Sequence, residues 1–162
     1  MTKIIHLLLS TVFFLPLVAL GQGNDAKISG KVLDEATGEP VTNDLETAKL
    51  EAKTGHKLIF MKFSGSDWCV PCINVQKKVI DTDEFQNFSH TRLVLMNIDF
   101  PRQKKNLLSA DDTKKNATLA ETYNREGLFP KFLLLDENGT VLAQWTGLEK
   151  MEPKFLESKI LP

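Results

Sequence analysis

The 162-residue chain holds two cysteines, Cys69 and Cys72, both inside Trp68-Cys69-Val70-Pro71-Cys72. An apolar run rich in strand formers, Leu58 to Phe63, precedes the pair, and a helical pattern opening near Ile73 follows it. A strand, a tight turn and a helix opening on two cysteines is a setting for thiol–disulfide chemistry. A thiolate at a helix N-terminus is stabilised by unpaired backbone N–H groups and by the positive end of the macrodipole. A more acidic thiol is more fully ionised at neutral pH and a better leaving group when a mixed disulfide resolves. Spaced i and i+3 on a first helical turn, the two sulfurs can reach each other. Pro71 lacks an N–H, which is no loss in a first turn, and its fixed φ helps the helix start. As a structural staple the pair would do little, because so short a loop removes little entropy from the unfolded chain.

Other chemistries are poorly represented. A zinc site needs four protein ligands, or three and a water, and beyond the N-terminal apolar run only His56 and His90 could join the cysteines. No metal and no tightly held cofactor is expected. No glycine-rich phosphate loop and no Ser/His/Asp pattern stands out. The net charge of −1 shows no basic excess for nucleic acid.

The elements that must hold the pair follow from the patterning. Hydrophobic residues make up 42% of the chain, enough for one core and one domain of ordinary size. Lys3 followed by the apolar Ile4 to Leu20, ending in Ala19-Leu20-Gly21, reads as an export signal cleaved after Gly21; an uncut membrane anchor is the alternative. The organisation expected is a signal over 1–21, an N-terminal arm or added strand over 22–42, and the main domain over 43–162. Lys27 to Val41 resembles the opening hairpin of carboxypeptidase-regulatory-like β-domains, over about 15 residues and no further. Export would put Cys69 and Cys72 in a compartment where disulfides persist, the periplasm being the expected one.

Along the main domain, Asp44 to Lys53 reads as a helix capped by Asn43 or Asp44, and Lys57 to Phe63 as a strand covered on both faces. After the cysteines the helix runs to about Asp81, a short helical turn covers Glu84 to Phe88, and Thr91 to Phe100 is a second buried strand. Pro101 to Asn116, with its lysine pairs, reads as a long surface loop with at most one helical turn, and Thr118 to Glu126 as a helix ended by Gly127. Lys131 to Leu135 and Thr140 to Thr146, joined at Asn138-Gly139, form a β-hairpin. A helix over Glu152 to Ile160 closes the chain. Parallel strands with helical crossovers followed by a hairpin imply an α/β fold with a mixed central sheet and helices on both faces.

These residues together resemble the thioredoxin family over roughly Asp44 to Ile160. The strand Leu58 to Phe63, the Trp68-Cys69-Val70-Pro71-Cys72 motif and Phe129-Pro130 before a strand ending in Leu135-Asp136-Glu137-Asn138-Gly139 carry the resemblance. Ser64-Gly65-Ser66-Asp67-Trp68 is similar to a subgroup of exported bacterial thioredoxin-like proteins. The resemblance implies a thiol–disulfide oxidoreductase in which Cys69 is the exposed nucleophile and Cys72 the more buried resolving thiol. It makes Pro130 a cis-proline against the disulfide, leaves the Phe129 backbone free to pair with an extended substrate, and has Trp68 cover one side. Trp68, Val70, Pro71, Phe129 and Pro130 would then form the substrate surface. The partners implied are disulfide-containing client proteins and a thiol electron donor, with a membrane reductase as one candidate. A non-catalytic module that uses the same fold to hold a partner or a metal is the alternative from another class.

One departure stands out. Where the family carries a buried acid that takes a proton from the resolving cysteine, this chain has Lys62 or Phe63. Water or another acid such as Asp67 would then take the proton. A Lys62 ammonium close by would favour thiolate, unless the side chain points away to solvent.

Overall fold

A computed structural model describes residues 32–33, 40–147 and 158. A short antiparallel hairpin, β1 (Val32–Leu33) with β2 (Pro40–Val41), leads in. The chain then runs α1 (Leu45–Gly55), β3 (Leu58–Ser64), α2 (Val70–Val75), α3 (Asp83–Arg92), β4 (Leu93–Asp99), α4 (Ala110–Tyr123), β5 (Lys131–Leu135) and β6 (Val141–Thr146). The main sheet has the order β4-β3-β5-β6. β3 and β4 are parallel, β5 is antiparallel to β3, and β6 to β5, so the sheet is mixed.

Period-two alternation divides the core. Ile59, Met61 and Phe63 of β3 face Ala48 and Ala52 of α1 and Leu119 of α4. Phe60 points the other way, among Val75, Ile80, Phe85, Phe132 and Trp145. Phe60, Phe132 and Trp145 form an aromatic run with ring centroids 5.8–6.2 Å apart, in the range of favourable aromatic pairing. The expected α/β architecture with helices on both faces is what this division produces. Before α1, Thr42 lies beside β4, its N–H donating to Leu95 O and its carbonyl accepting from Asn97 N–H.

Three elements differ from the sequence reading. The polar stretch after Pro101 is a loop only to Ser109: α4 begins at Ala110, where Ser109 caps the Asp112 N–H and Asp111 and Asp112 sit in the first turn, favoured by the helix dipole. Its buried Asn116 donates to Asp99 O and accepts from Asn43 Nδ2, a tertiary anchor that periodicity does not reveal. The same helix ends at Tyr123 rather than Glu126, because Asn124 turns away and brackets Leu128 with two hydrogen bonds. The short turn expected near Glu84 is a ten-residue helix capped by Thr82, and it takes Thr91 and Arg92 from the strand. The helix expected over Glu152 to Ile160 lies outside the described residues except for Ser158, which is helical, and the segment 1–21 lies outside them entirely.

Candidate active site

The site begins at the end of β3, where Ser64-Gly65-Ser66-Asp67 turns the chain toward the helix. Gly65 is required there by contact: a Cβ would fall 2.3 Å from the Trp68 ring. The turn is tied to the segment after β4. Asp99 accepts from the Ser66 N–H at 2.8 Å and from its hydroxyl at 2.5 Å. Asp67 accepts from the Arg102 and Gln103 N–H groups and from Asn106 Nδ2. The Arg102 N–H is the largest influence and holds the Asp67 carboxyl below the usual carboxylate range; desolvation opposes it, and the Gln103 N–H and Asn106 add smaller lowering effects. Asp67 is therefore tied to the loop after β4 by three hydrogen bonds.

Trp68 is fixed on several sides. Its Nε1–H donates to Phe100 O at 2.7 Å, and the Arg102 guanidinium stands 3.7 Å from the ring centroid, a cation–π contact. Phe129 meets the ring edge-to-face at 5.5 Å and Phe100 meets Phe129 at 5.6 Å. The half-buried Phe129, whose peptide bond to the buried Pro130 is cis, is thus carried to the residue that precedes Cys69.

Cys69 and Cys72 are joined as a disulfide, with Cα atoms 5.2 Å apart. Cys69 is the N-cap of α2, its Sγ accepting the Cys72 N–H at 3.3 Å, and Pro71 occupies the first turn. The resemblance implies an exposed Cys69 over a buried Cys72. In the disulfide the two are 5% and 4% exposed, since each sulfur covers part of the other. Exposure falls instead on Val70, at 65%, and on Pro71 beside it.

Beyond α2 the helix widens into a π-helical stretch, Gln76–Ile80, an irregularity common near functional sites. It borders a cavity of about 330 Å³ lined by Cys72, Lys62, Gln76, Asp81 and Asn97, among others. Lys62 shares its sheet face with Phe60 and turns into this cavity, where its Nζ donates to Gln76 Oε1, while Gln76 Nε2 donates to Asp81 Oδ1 at 2.7 Å. Lys62 therefore does not point away to bulk solvent. Phe63 faces the opposite core and is fully buried. The sequence reading missed Gln76 and Asp81. Their spacing of five follows the widened helix rather than the 3.6-residue period, and no local residue announces that widening. Among the described residues no three His, Cys, Asp or Glu side chains gather as metal ligands.

A mixed four-stranded sheet sandwiched by helices, with a Cys-x-x-Cys disulfide capping the helix after the central strand, defines a thioredoxin-type redox protein. The match of residues 40–137 to the thioredoxin-like family profile agrees, and the chain belongs to that family. It is 36% identical over 93 residues to a disulfide bond reductase, DsbH, from Chlamydia pneumoniae, a match spanning 57% of this chain and 54% of that protein. The chain thus spans about half the length of that curated relative. The solved structure of a DsbH oxidoreductase superposes with a TM-score of 0.63 at 26% identity, covering 83% of this chain and 96% of the other. A redox protein from Chlamydomonas reinhardtii shares the fold at a TM-score of 0.52 and 18% identity, over 72% of this chain and 33% of its own.

Proposed function

We propose that this protein is an exported thiol–disulfide oxidoreductase that reduces or exchanges disulfides in client proteins through Cys69 and Cys72. The observation that carries this is the Cys69–Cys72 disulfide at the helix start, where Cys69 Sγ accepts the Cys72 N–H. The same N–H would stabilise a Cys69 thiolate in the reduced protein, the form that attacks. Cys69 Sγ⁻ displaces one sulfur of a client disulfide, giving a mixed disulfide and a client thiolate that takes a proton from solvent. Cys72 then attacks Cys69 Sγ, the bond between Cys69 and the client breaks, and the second client thiolate leaves. A thiol electron donor, such as a membrane reductase, returns the pair to the reduced form. Extended client backbone would lie against Phe129 and Pro130, flanked by Trp68, Val70 and Pro71. The reductase direction is supported by the name of the Chlamydia pneumoniae relative, a disulfide bond reductase. Export, with the periplasm as destination, rests on the pattern of Ile4 to Gly21; among the described residues no helix is long and apolar enough to cross a membrane.

Insulin-disulfide reduction tests the reading. Wild type should turn over with dithiothreitol, Cys69→Ser should be inactive, and Cys72→Ser should accumulate mixed disulfides with clients, visible on non-reducing gels. An inactive wild type with partner binding equal in both serine variants would identify a binding module instead.

A further inference from the structure

Resolution of the mixed disulfide needs Cys72 as a thiolate, yet Cys72 is nearly buried, and burial in apolar surroundings disfavours the charged form. The side chains around it suggest how this is offset. Gln76 lies one full turn beyond Cys72, its N–H donating to Cys72 O, so the two side chains stand roughly 6 Å apart at the Cβ. Gln76 Oε1 accepts from the Lys62 ammonium, which reaches across from β3 into the cavity that Cys72 also lines. The register is fixed, because Lys62 is paired with Asn97 on one side and Phe132 on the other in the middle of the sheet. The remaining charged side chains facing this cavity are Lys77, on the π-helical stretch, and Asp81, just after it; β4 contributes no charge and α3 contributes Phe85. Lys77 and Asp81 are exposed, whereas Lys62 is half-buried, so the field of Lys62 is the least screened by solvent.

We propose that Lys62, held by Gln76, is a positioning residue for the resolving step and stabilises the Cys72 thiolate by its positive charge. The cavity lining is largely apolar but holds polar groups: Asn97 Oδ1 is buried with no hydrogen-bond partner among the described residues, and Ser64 and Ser66 also line the space. The space of about 330 Å³ is large enough for several waters beside these polar groups, and the Cys72 proton leaves to water there. The thiolate then attacks Cys69 Sγ; the Cys69–Cys72 bond forms, the Cys69–client bond breaks, and the client sulfur departs with the electron pair. Lys62 keeps its proton throughout and acts by charge, not as a base.

The inference rests on the oxidoreductase reading, and the test separates the two. In Cys69→Ser, Cys72 is the only thiol, and its ultraviolet thiolate absorbance can be titrated against pH. Lys62→Met in that background should raise the midpoint by about one pH unit, the low end for loss of a nearby opposite charge. Lys62→Arg should keep the midpoint close to the parent's, and Gln76→Leu should raise it by less than Lys62→Met. An unchanged midpoint in Lys62→Met, or an equal rise in Lys62→Arg, overturns the proposal. If Lys62→Met does not fold, an unchanged midpoint in Gln76→Leu overturns it. Insulin turnover by the wild type, assayed in parallel, reports on the oxidoreductase reading, which stands if turnover persists while the titrations fail.

Discussion

At the scale of single residues, Trp68 links the redox pair to the rest of the fold. Its indole N–H, its face and its edge each have a separate partner: Phe100 O, Arg102 and Phe129. These contacts can be told apart by substitution. Trp68→Phe keeps an aromatic face but removes the donor, and should cost about 1 kcal/mol of unfolding free energy, the net worth of one hydrogen bond. Trp68→Ala also empties the space between Arg102 and Phe129, and should cost about 3 kcal/mol. Urea titrations of the oxidised variants would check the order; equal losses would mean that the indole N–H carries the whole effect. Lys62 is the other residue whose role depends on its surroundings. Sequence allowed it to face solvent or the cysteines, and strand alternation chose the cysteines.

At the scale of elements, several loops and helix starts are fastened by carboxylates. Asp67 holds the segment after Pro101, and its carboxyl lies below the usual range chiefly because of the Arg102 N–H. Asp112 is lowered first by the Ser109 hydroxyl and then by Asn43 at the start of α4, and Asp136 by the Thr140 N–H in the β5–β6 turn. In that turn Gly139 takes a φ of 85°, a region that favours glycine. The sign is the same for all three: a carboxyl whose folded pKa is lowered adds stability that is complete above its unfolded value, near 3.9, and is lost as pH falls through the folded value. Stability should therefore change little for these groups between about pH 7 and pH 5 and should fall below about pH 4. Asp67→Asn should lose less on acidification than wild type, as measured by the urea midpoint against pH. A wild-type midpoint that stayed level to pH 2 would contradict this account.

At the scale of the whole molecule, the sheet and its two apolar faces hold the fold, and the disulfide contributes little. Replacing both cysteines by alanine opens only a very short loop and should cost about 2 kcal/mol or less relative to the oxidised protein. Phe132→Ala, in the fully buried strand β5 against Phe60 and Trp145, should cost about 3–5 kcal/mol. Thermal or urea unfolding of both variants would test that ranking, which a redox pair free to open and close requires. The sequence by itself determined the redox pair, the strand before it, the helix after it, the closing hairpin and, through their order, the mixed α/β sheet. Each of these is written in local terms: cysteine spacing, alternation, caps and turn residues. The length of α4 and α3, the equal burial of the two sulfurs, the engagement of Asp67 by the loop after β4 and the gathering of Lys62, Gln76 and Asp81 beside Cys72 were decided by tertiary structure. Several of these features depend on groups far apart in the chain: Lys62 and Gln76 are 14 positions apart, Asp67 and Asn106 39, and Asn43 and Asn116 73. Only packing of the helices on the sheet brings such groups within hydrogen-bonding distance.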